Sequence, residues 1–102
     1  MMEKVIDITD IMQADGYDVV KAEAQGKEVK ILWKLDSPIK TADKSLCHYQ
    51  IECRGLSKPI LTEEDAKKQN YVCVQGSDYS GLTSKEAKQA MKDGLFNQFI
   101  RV

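Results

Sequence analysis

The chain has 102 residues, of which 42% are hydrophobic and 30% are charged, and its net charge is −1. This length supports one core, which predicts a single domain over residues 1–102. A nearly neutral chain has no global attraction to phosphate, so nucleic-acid binding would require a local basic patch. No apolar run approaches the roughly 20 residues that a membrane helix needs.

The N-terminal sequence favours a cytoplasmic protein. It lacks the apolar core and the small-residue cleavage site of a secretory signal. Three cysteines without such a signal predict free thiols in a reducing compartment.

Residues 4–14 carry apolar side chains at helical spacing, and the Asp15-Gly16 pair after them is a typical helix stop. The apolar positions are Val5, Ile8, Ile11 and Met12. We therefore expect the domain to begin with a short amphipathic helix.

Two strands are predicted next, over residues 17–24 and 29–35. Residues 25–28 between them are polar and contain glycine, which is typical of a hairpin connection. The second strand alternates so that one face is buried and the other is largely exposed, and Trp33 is expected on the buried face.

A polar connection over 36–45 leads to a third strand over 46–54, which also alternates. Its outward face is predicted to be polar; the residues on it are His48, Gln50, Glu52 and Arg54. Residues 55–59 are expected to turn the chain.

Two helix starts are the clearest local signals in the sequence. Thr62 is followed three residues later by Asp65, and Thr83 by Glu86, so each threonine can form a capping box. The second helix is predicted over residues 84–93, with Gly94 as its end. The two starts lie 21 residues apart, so an internal duplication and a coincidence both stay open.

The remaining segments are less regular. Residues 71–74 read as a short strand and residues 76–81 as a loop. Residues 95–102 fit either a helix face or a strand, and their β-branched and aromatic content favours a final strand.

These elements predict an α+β fold: a single two-layer domain with an N-terminal helix, a three-stranded antiparallel meander, then helix-strand-helix and a final strand. The expected shared core consists of Ile8, Ile11, Val19, Ile31, Trp33, Tyr49, Ile51, Val72, Val74, Met91 and Phe99.

No set of residues indicates an enzyme, a metal centre or a cofactor site. A zinc site needs about four ligands with close pairs, and the cysteines form no C-x-x-C. Cys47 and His48 are neighbours on one strand and point to opposite faces, which excludes a nucleophile–base pair.

Residues 72–76 and 79–81, followed by 84–88, resemble the last strand and helix of double-stranded RNA-binding domains. The resemblance implies phosphate contacts at Lys85 and Lys88. Ser84 stands where that family has its first lysine, and the loop is about two residues shorter, so the family is not assigned.

Binding is therefore the expected function, with a protein as the expected partner. Residues 37–59 form the most basic part of the chain, and the long connection beside them can adapt to a partner. The predicted contacts are Lys40, Lys44, His48, Gln50, Glu52 and Arg54.

Small modules of this type are typical regulators or inhibitors, including those that phages or mobile elements carry to block a host defence protein such as a CRISPR effector. The alternative is a nonspecific nucleic-acid-binding domain that uses this basic face, or Lys85 and Lys88. The oligomeric state stays open.

Overall fold

The computed structural model describes residues 4–40, 42, 46–69 and 75–100. The elements in chain order are β1 (Val5–Asp7), α1 (Thr9–Ala14), β2 (Val19–Ile39), β3 (Cys47–Ile60), α2 (Glu63–Lys67), β4 (Gln75–Leu82), α3 (Ser84–Asp93) and α4 (Leu95–Ile100). The strands form one sheet in the order β1-β2-β3-β4, and all neighbours are antiparallel. The described residues are thus an α+β fold built mainly on this sheet.

The predicted order of elements is wrong at the N-terminus. The first element in the described part of the chain is β1, where Ile6 pairs with Ala24, and α1 has only six residues. Ile6, Ile8 and Met12 are all buried. The apolar residues whose spacing predicted one continuous helix are therefore divided between a short strand and a short helix.

Residues 17–24 and 29–35 do not form two separate strands, because β2 is one strand of 21 residues. At about 3.3 Å per residue such a strand would extend roughly 70 Å, whereas the longest dimension of the protein is 39 Å. β2 must therefore bend sharply. Gly26, with a φ of 59°, lies where the pairing with β3 also shifts register, and it allows the backbone conformation that the bend requires.

The apolar side chains form two clusters on opposite faces of the sheet, which replace the predicted single core between two layers. Ile31 belongs to the first cluster and Leu32 to the second, as alternation along a strand requires. Met12 of α1 and Ala66 of α2 join the first cluster. Ala87 and Ala90 of α3, with Leu95 of α4, join the second. Helices therefore cover both faces.

Several predicted core residues need correction. Met91 is exposed and Trp33 is only half-buried. Val72 and Val74 lie outside the described residues, as does the predicted strand over 71–74. Leu56, Ile60 and Phe96 are buried instead.

Two predicted irregular segments are strands. The expected turn over 55–59 belongs to β3, which continues to Ile60, and the expected loop over 76–81 belongs to β4. Both segments contain glycine and polar residues, which argue locally for a turn. Pairing with β3 overrides that preference over residues 77–81 of β4, and in β3 the pairing holds Gly55 and Ile60 while the register shifts between them.

Both capping boxes are confirmed. The Asp65 N–H donates to Thr62 Oγ1 (3.2 Å), and the Thr62 N–H donates to Asp65 Oδ2 (3.2 Å). At α3 the Glu86 N–H donates to Thr83 Oγ1 (3.4 Å), and the Thr83 N–H donates to Glu86 Oε1 (2.9 Å). Gly94 follows α3 with a φ of 84°, which confirms the predicted end of this helix.

The predicted final strand is wrong, because residues 95–100 form α4. The Leu95 N–H at the start of α4 donates to Glu23 Oε1 of β2 (2.8 Å). Leu95 and Phe96 are buried. A contact 72 residues away in sequence thus supports the first turn of α4. Since α3 leads into a helix, a helix-strand unit, which an internal duplication would require, is not present there.

We expect Thr83→Ala to lower the free energy of unfolding by about 1 kcal/mol, because it removes the acceptor for an N–H at the start of α3. Thr62→Ala should cost less, because α2 has five residues and Thr62 is exposed. Urea denaturation of both variants provides the measurement. Equal losses at the two sites would contradict this ranking.

Candidate partner-binding site

The predicted contact residues do not lie on one exposed face. Lys40 and His48 are exposed and Gln50 is half-buried, whereas Glu52 is only 4% exposed. The Arg54 side chain is 16% exposed. Lys44 lies outside the described residues. The structure therefore divides these residues into an exposed pair and an inward-facing group.

The inward-facing group is organised by the carboxylate of Glu52. Trp33 Nε1–H donates to Glu52 Oε1 (2.9 Å), and Arg54 donates to the same oxygen from Nε and from Nη2, both at 2.7 Å. The guanidinium carbon of Arg54 lies 5.5 Å from the centroid of the Trp33 ring. The Tyr17 ring meets Trp33 edge-on at 6.4 Å. These contacts fix the orientation of the Trp33 and Arg54 side chains.

The expected polar outer face of the third strand is wrong for Glu52. Ile31 pairs with Glu52 in the register of β2 and β3, so the two side chains lie on the same face, next to the first apolar cluster. The first cluster, with Tyr17 and Trp33 packed against it, covers this face. A carboxylate there needs strong donors, and Arg54 and Trp33 supply them.

The ends of β2 and β3 form a different surface, which we call the hairpin end and define as Ile39, Lys40, Leu46 and His48. Ile39 is 42% exposed and Leu46 is 43% exposed. Ile39 pairs with Cys47 in the sheet, so these two side chains share a face, while Leu46 directly precedes Cys47 in the chain. Lys40 and His48 beside them are exposed. The hairpin end thus exposes two apolar residues where the strand pair ends, with cationic and polar neighbours.

An open groove of about 380 Å³ lies beside the Trp33 cluster; its lining residues are Asp18, Trp33, Lys34, Leu35, Asp36, Gln50, Glu52 and Arg54. Asp18, Lys34 and Asp36 are exposed at its margin. Trp33 and Leu35 are half-buried and provide the apolar part of its wall.

Lys30 is the second charged residue that the fold buries, at 4% exposure. Its Nζ donates to the Phe96 carbonyl oxygen (3.3 Å) and lies 4.4 Å from the centroid of the Phe96 ring. Burial lowers the pKa of Lys30, while Cys53, Glu28 and Glu23 act in the opposite direction. Lys30 thus joins β2 to α4, on the opposite face from Glu52.

The alternative contacts Lys85 and Lys88 lie on α3. Both are exposed, as is Lys92. Spacings of three and four residues place these three lysines along one side of the helix. Glu86 lies between them in sequence, but its carboxylate accepts hydrogen bonds from Thr83. α3 therefore presents a narrow basic stripe.

Within the described ranges, no group of three or more histidine, cysteine, aspartate or glutamate residues is placed to hold a metal ion. Cys47 is buried and Cys53 is half-buried, and both are free thiols. In the same part of the chain, no helix has the length and apolar character needed to cross a membrane.

Comparisons with known proteins found no matching family model, no matching curated protein and no matching solved structure. The fold and the geometry of these surfaces therefore carry the functional argument.

Sequence reasoning placed Trp33 in the core but did not identify it as a partner of Glu52, and it did not single out Lys30, Ile39 or Leu46. One signal was present: Glu52 and Arg54 are two residues apart on a strand, so they share a face, and opposite charges there can pair. The contact with Trp33 depends on the register between β2 and β3, which the sequence does not show.

We expect Glu52→Gln to lower the free energy of unfolding by about 1 to 3 kcal/mol, because three donors would lose a charged acceptor in a buried position. Glu64→Gln is the matched control. It breaks the exposed pair with Lys67 (3.5 Å) and should cost less than about 0.5 kcal/mol. Urea denaturation compares the two, and equal costs would contradict the structural role of Glu52.

A second prediction concerns Lys30 and pH. Burial lowers its pKa in the folded state below the ordinary value of 10.5. At pH values between the pKa of Lys30 in the folded state and its ordinary pKa, Lys30 is protonated in the unfolded chain but has released its proton in the folded protein. Folding therefore becomes more favourable as pH rises through this range. The stability of the natural chain relative to Lys30→Met should therefore increase as pH is raised from 7 toward 10. Urea denaturation across this range measures the difference, and a constant difference would contradict the prediction.

Proposed function

We propose that this protein is a small non-enzymatic protein-binding module and that its partner contacts the hairpin end. The observation that carries the proposal is the exposure of Ile39 and Leu46 beside Lys40 and His48. Exposed apolar side chains with a polar rim are typical of protein interaction surfaces. His48 and Lys40 of the predicted contact set belong to this surface.

The sheet supports this role by holding the surface in place. Residues 28–34 of β2 pair without interruption with residues 49–55 of β3, and the Trp33–Glu52–Arg54 cluster joins the same parts of the two strands. A preorganised surface loses little conformational entropy on binding. Glu52 and Arg54 therefore contribute to the proposed interface mainly as support, while Gln50 lies between the two regions.

The proposal extends to the biological role as a cytoplasmic regulator or inhibitor, of the kind that phages or mobile elements carry against a host defence protein such as a CRISPR effector. This part rests on the small size of the domain and on the class of protein. Identifying the protein that binds this chain in the source cells tests this part of the proposal.

The second candidate is a nonspecific nucleic-acid-binding domain. The exposed stripe of Lys85, Lys88 and Lys92 on α3 favours it, because lysines on one helix side can contact successive phosphates. Binding through such contacts would be sensitive to salt and indifferent to sequence.

The experiment compares three variants by affinity capture from the source cells, with and without nuclease. The first variant changes the hairpin end (Ile39→Ser, Lys40→Glu, Leu46→Ser), and the second reverses the three lysines of α3 to glutamate. The matched control changes an exposed apolar residue and an exposed lysine elsewhere (Leu61→Ser, Lys58→Glu). Arg54 is left intact because its loss would unpair the buried Glu52.

We expect the natural chain to retain a protein after nuclease treatment, the hairpin-end variant to lose it, and the other two variants to keep it. Capture that depends on nucleic acid and on the α3 lysines would favour the second candidate and contradict the first. Equal capture by all folded variants would exclude both surfaces. Circular dichroism of each variant checks that it is folded.

A further inference from the structure

We infer that the groove beside Trp33 receives an arginine side chain of the protein partner. The inference rests on the proposed function and deepens it, because it states what chemistry the partner presents next to the hairpin end. It is drawn from the charges of the groove, the chemistry of its wall and its position along β2.

The groove has one more carboxylate than it has cations. Asp18, Asp36 and Glu52 line it, against Lys34 and Arg54. Glu52 and Arg54 are paired with each other at 2.7 Å. Asp18 and Asp36 at the margin therefore outnumber Lys34, and a cation of a partner is favoured over an anion.

The wall of the groove matches a guanidinium group. Arg54 already shows this chemistry, since its guanidinium lies over the Trp33 ring and donates two hydrogen bonds to a carboxylate oxygen. A planar, weakly hydrated guanidinium can pack its stem on apolar surface and donate in a fork to carboxylates. Leu35 and Trp33 offer the apolar surface, and Asp18 and Asp36 offer the acceptors.

The size and position of the groove also suit one side chain of a larger partner. A volume of about 380 Å³ lies at the low end of the range for ligand sites. Asp36 precedes Ile39 by three residues on β2, which is at most about 10 Å along a strand. A partner seated on the hairpin end can therefore reach the groove without a second interface.

The test uses a capped tripeptide, acetyl-Gly-Arg-Gly-amide, as the probe. Its controls are the same peptide with citrulline, which keeps the shape and removes the charge, and the same peptide with lysine. Trp33 is the only tryptophan in the sequence, so its indole N–H gives a single signal in a ¹H–¹⁵N spectrum. Titration of each peptide into ¹⁵N-labelled protein follows that signal.

We expect the arginine peptide to shift the Trp33 indole signal saturably and the shift to weaken with added salt. The citrulline peptide should leave the signal in place, and the lysine peptide should bind more weakly than arginine. The paired change Asp18→Asn with Asp36→Asn should weaken binding about tenfold, whereas Lys34→Gln should strengthen it about threefold, because these changes alter the local charge in opposite directions.

Equal binding of the arginine and citrulline peptides would overturn the inference, as would an unchanged affinity in the double aspartate variant or weaker binding in Lys34→Gln. The spectra report the folded state of every variant in the same measurement. If the peptide fails to bind while the hairpin-end variant still loses its captured protein, the arginine site is wrong and the proposed function stands. If the peptide binds but no protein depends on the hairpin end, the proposed function fails instead.

Discussion

The structure depends on one constraint: the pair of strands β2 and β3 is covered on both faces. α1 and α2 with the first apolar cluster cover one face, and α3 and α4 with the second cluster cover the other. The side chains of Lys30 and Glu52 lie within the covered part of this pair and are held away from bulk water. Each such side chain must therefore have a partner inside the fold, since a buried charge without one is strongly destabilising.

Glu52 and Lys30 satisfy this constraint in different ways. Glu52 accepts three hydrogen bonds from Trp33 and Arg54, all within β2 and β3, and so joins the two strands on one face. Lys30 reaches α4 on the other face, where it contacts the carbonyl and the ring of Phe96. Together with the hydrogen bond from Leu95 to Glu23, this contact sets the position of the last helix. The need to pair buried charges thus fixes side-chain contacts on both faces of the sheet.

The proposed binding surfaces lie where the helices and the apolar clusters no longer cover β2 and β3. The hairpin end extends beyond the two clusters, so Ile39 and Leu46 stay exposed, and the groove beside Trp33 opens at the margin of the first cluster. Both surfaces are carried by strands whose central parts are held by burial and by the Glu52 contacts. A rigid support of this kind allows exposed side chains to recognise a partner at low entropic cost.

The sequence alone determined the features that depend on neighbours within one or two turns. Both threonine caps and the end of α3 at Gly94 were predictable, because capping and positive φ are local properties. The alternation of residues 29–35 was also predictable. The sequence did not show whether the strand face that carries Leu32 is exposed or buried. That depends on α3 and α4, which pack there from more than 50 residues away in the chain.

The tertiary structure decided the elements for which local preference was weak or misleading. Gly55 and the glycines of β4 argued for turns, yet pairing with adjacent strands made these segments part of the sheet. Residues 95–100 became helical because Leu95 and Phe96 are buried against β2 and Glu23 accepts the first N–H of α4. Of the predicted contact residues, Lys40 and His48 stayed exposed, while Glu52 and Arg54 turned inward to Trp33. Register between distant strands decides which face a residue occupies and what it meets there, and a single sequence carries no direct record of that register.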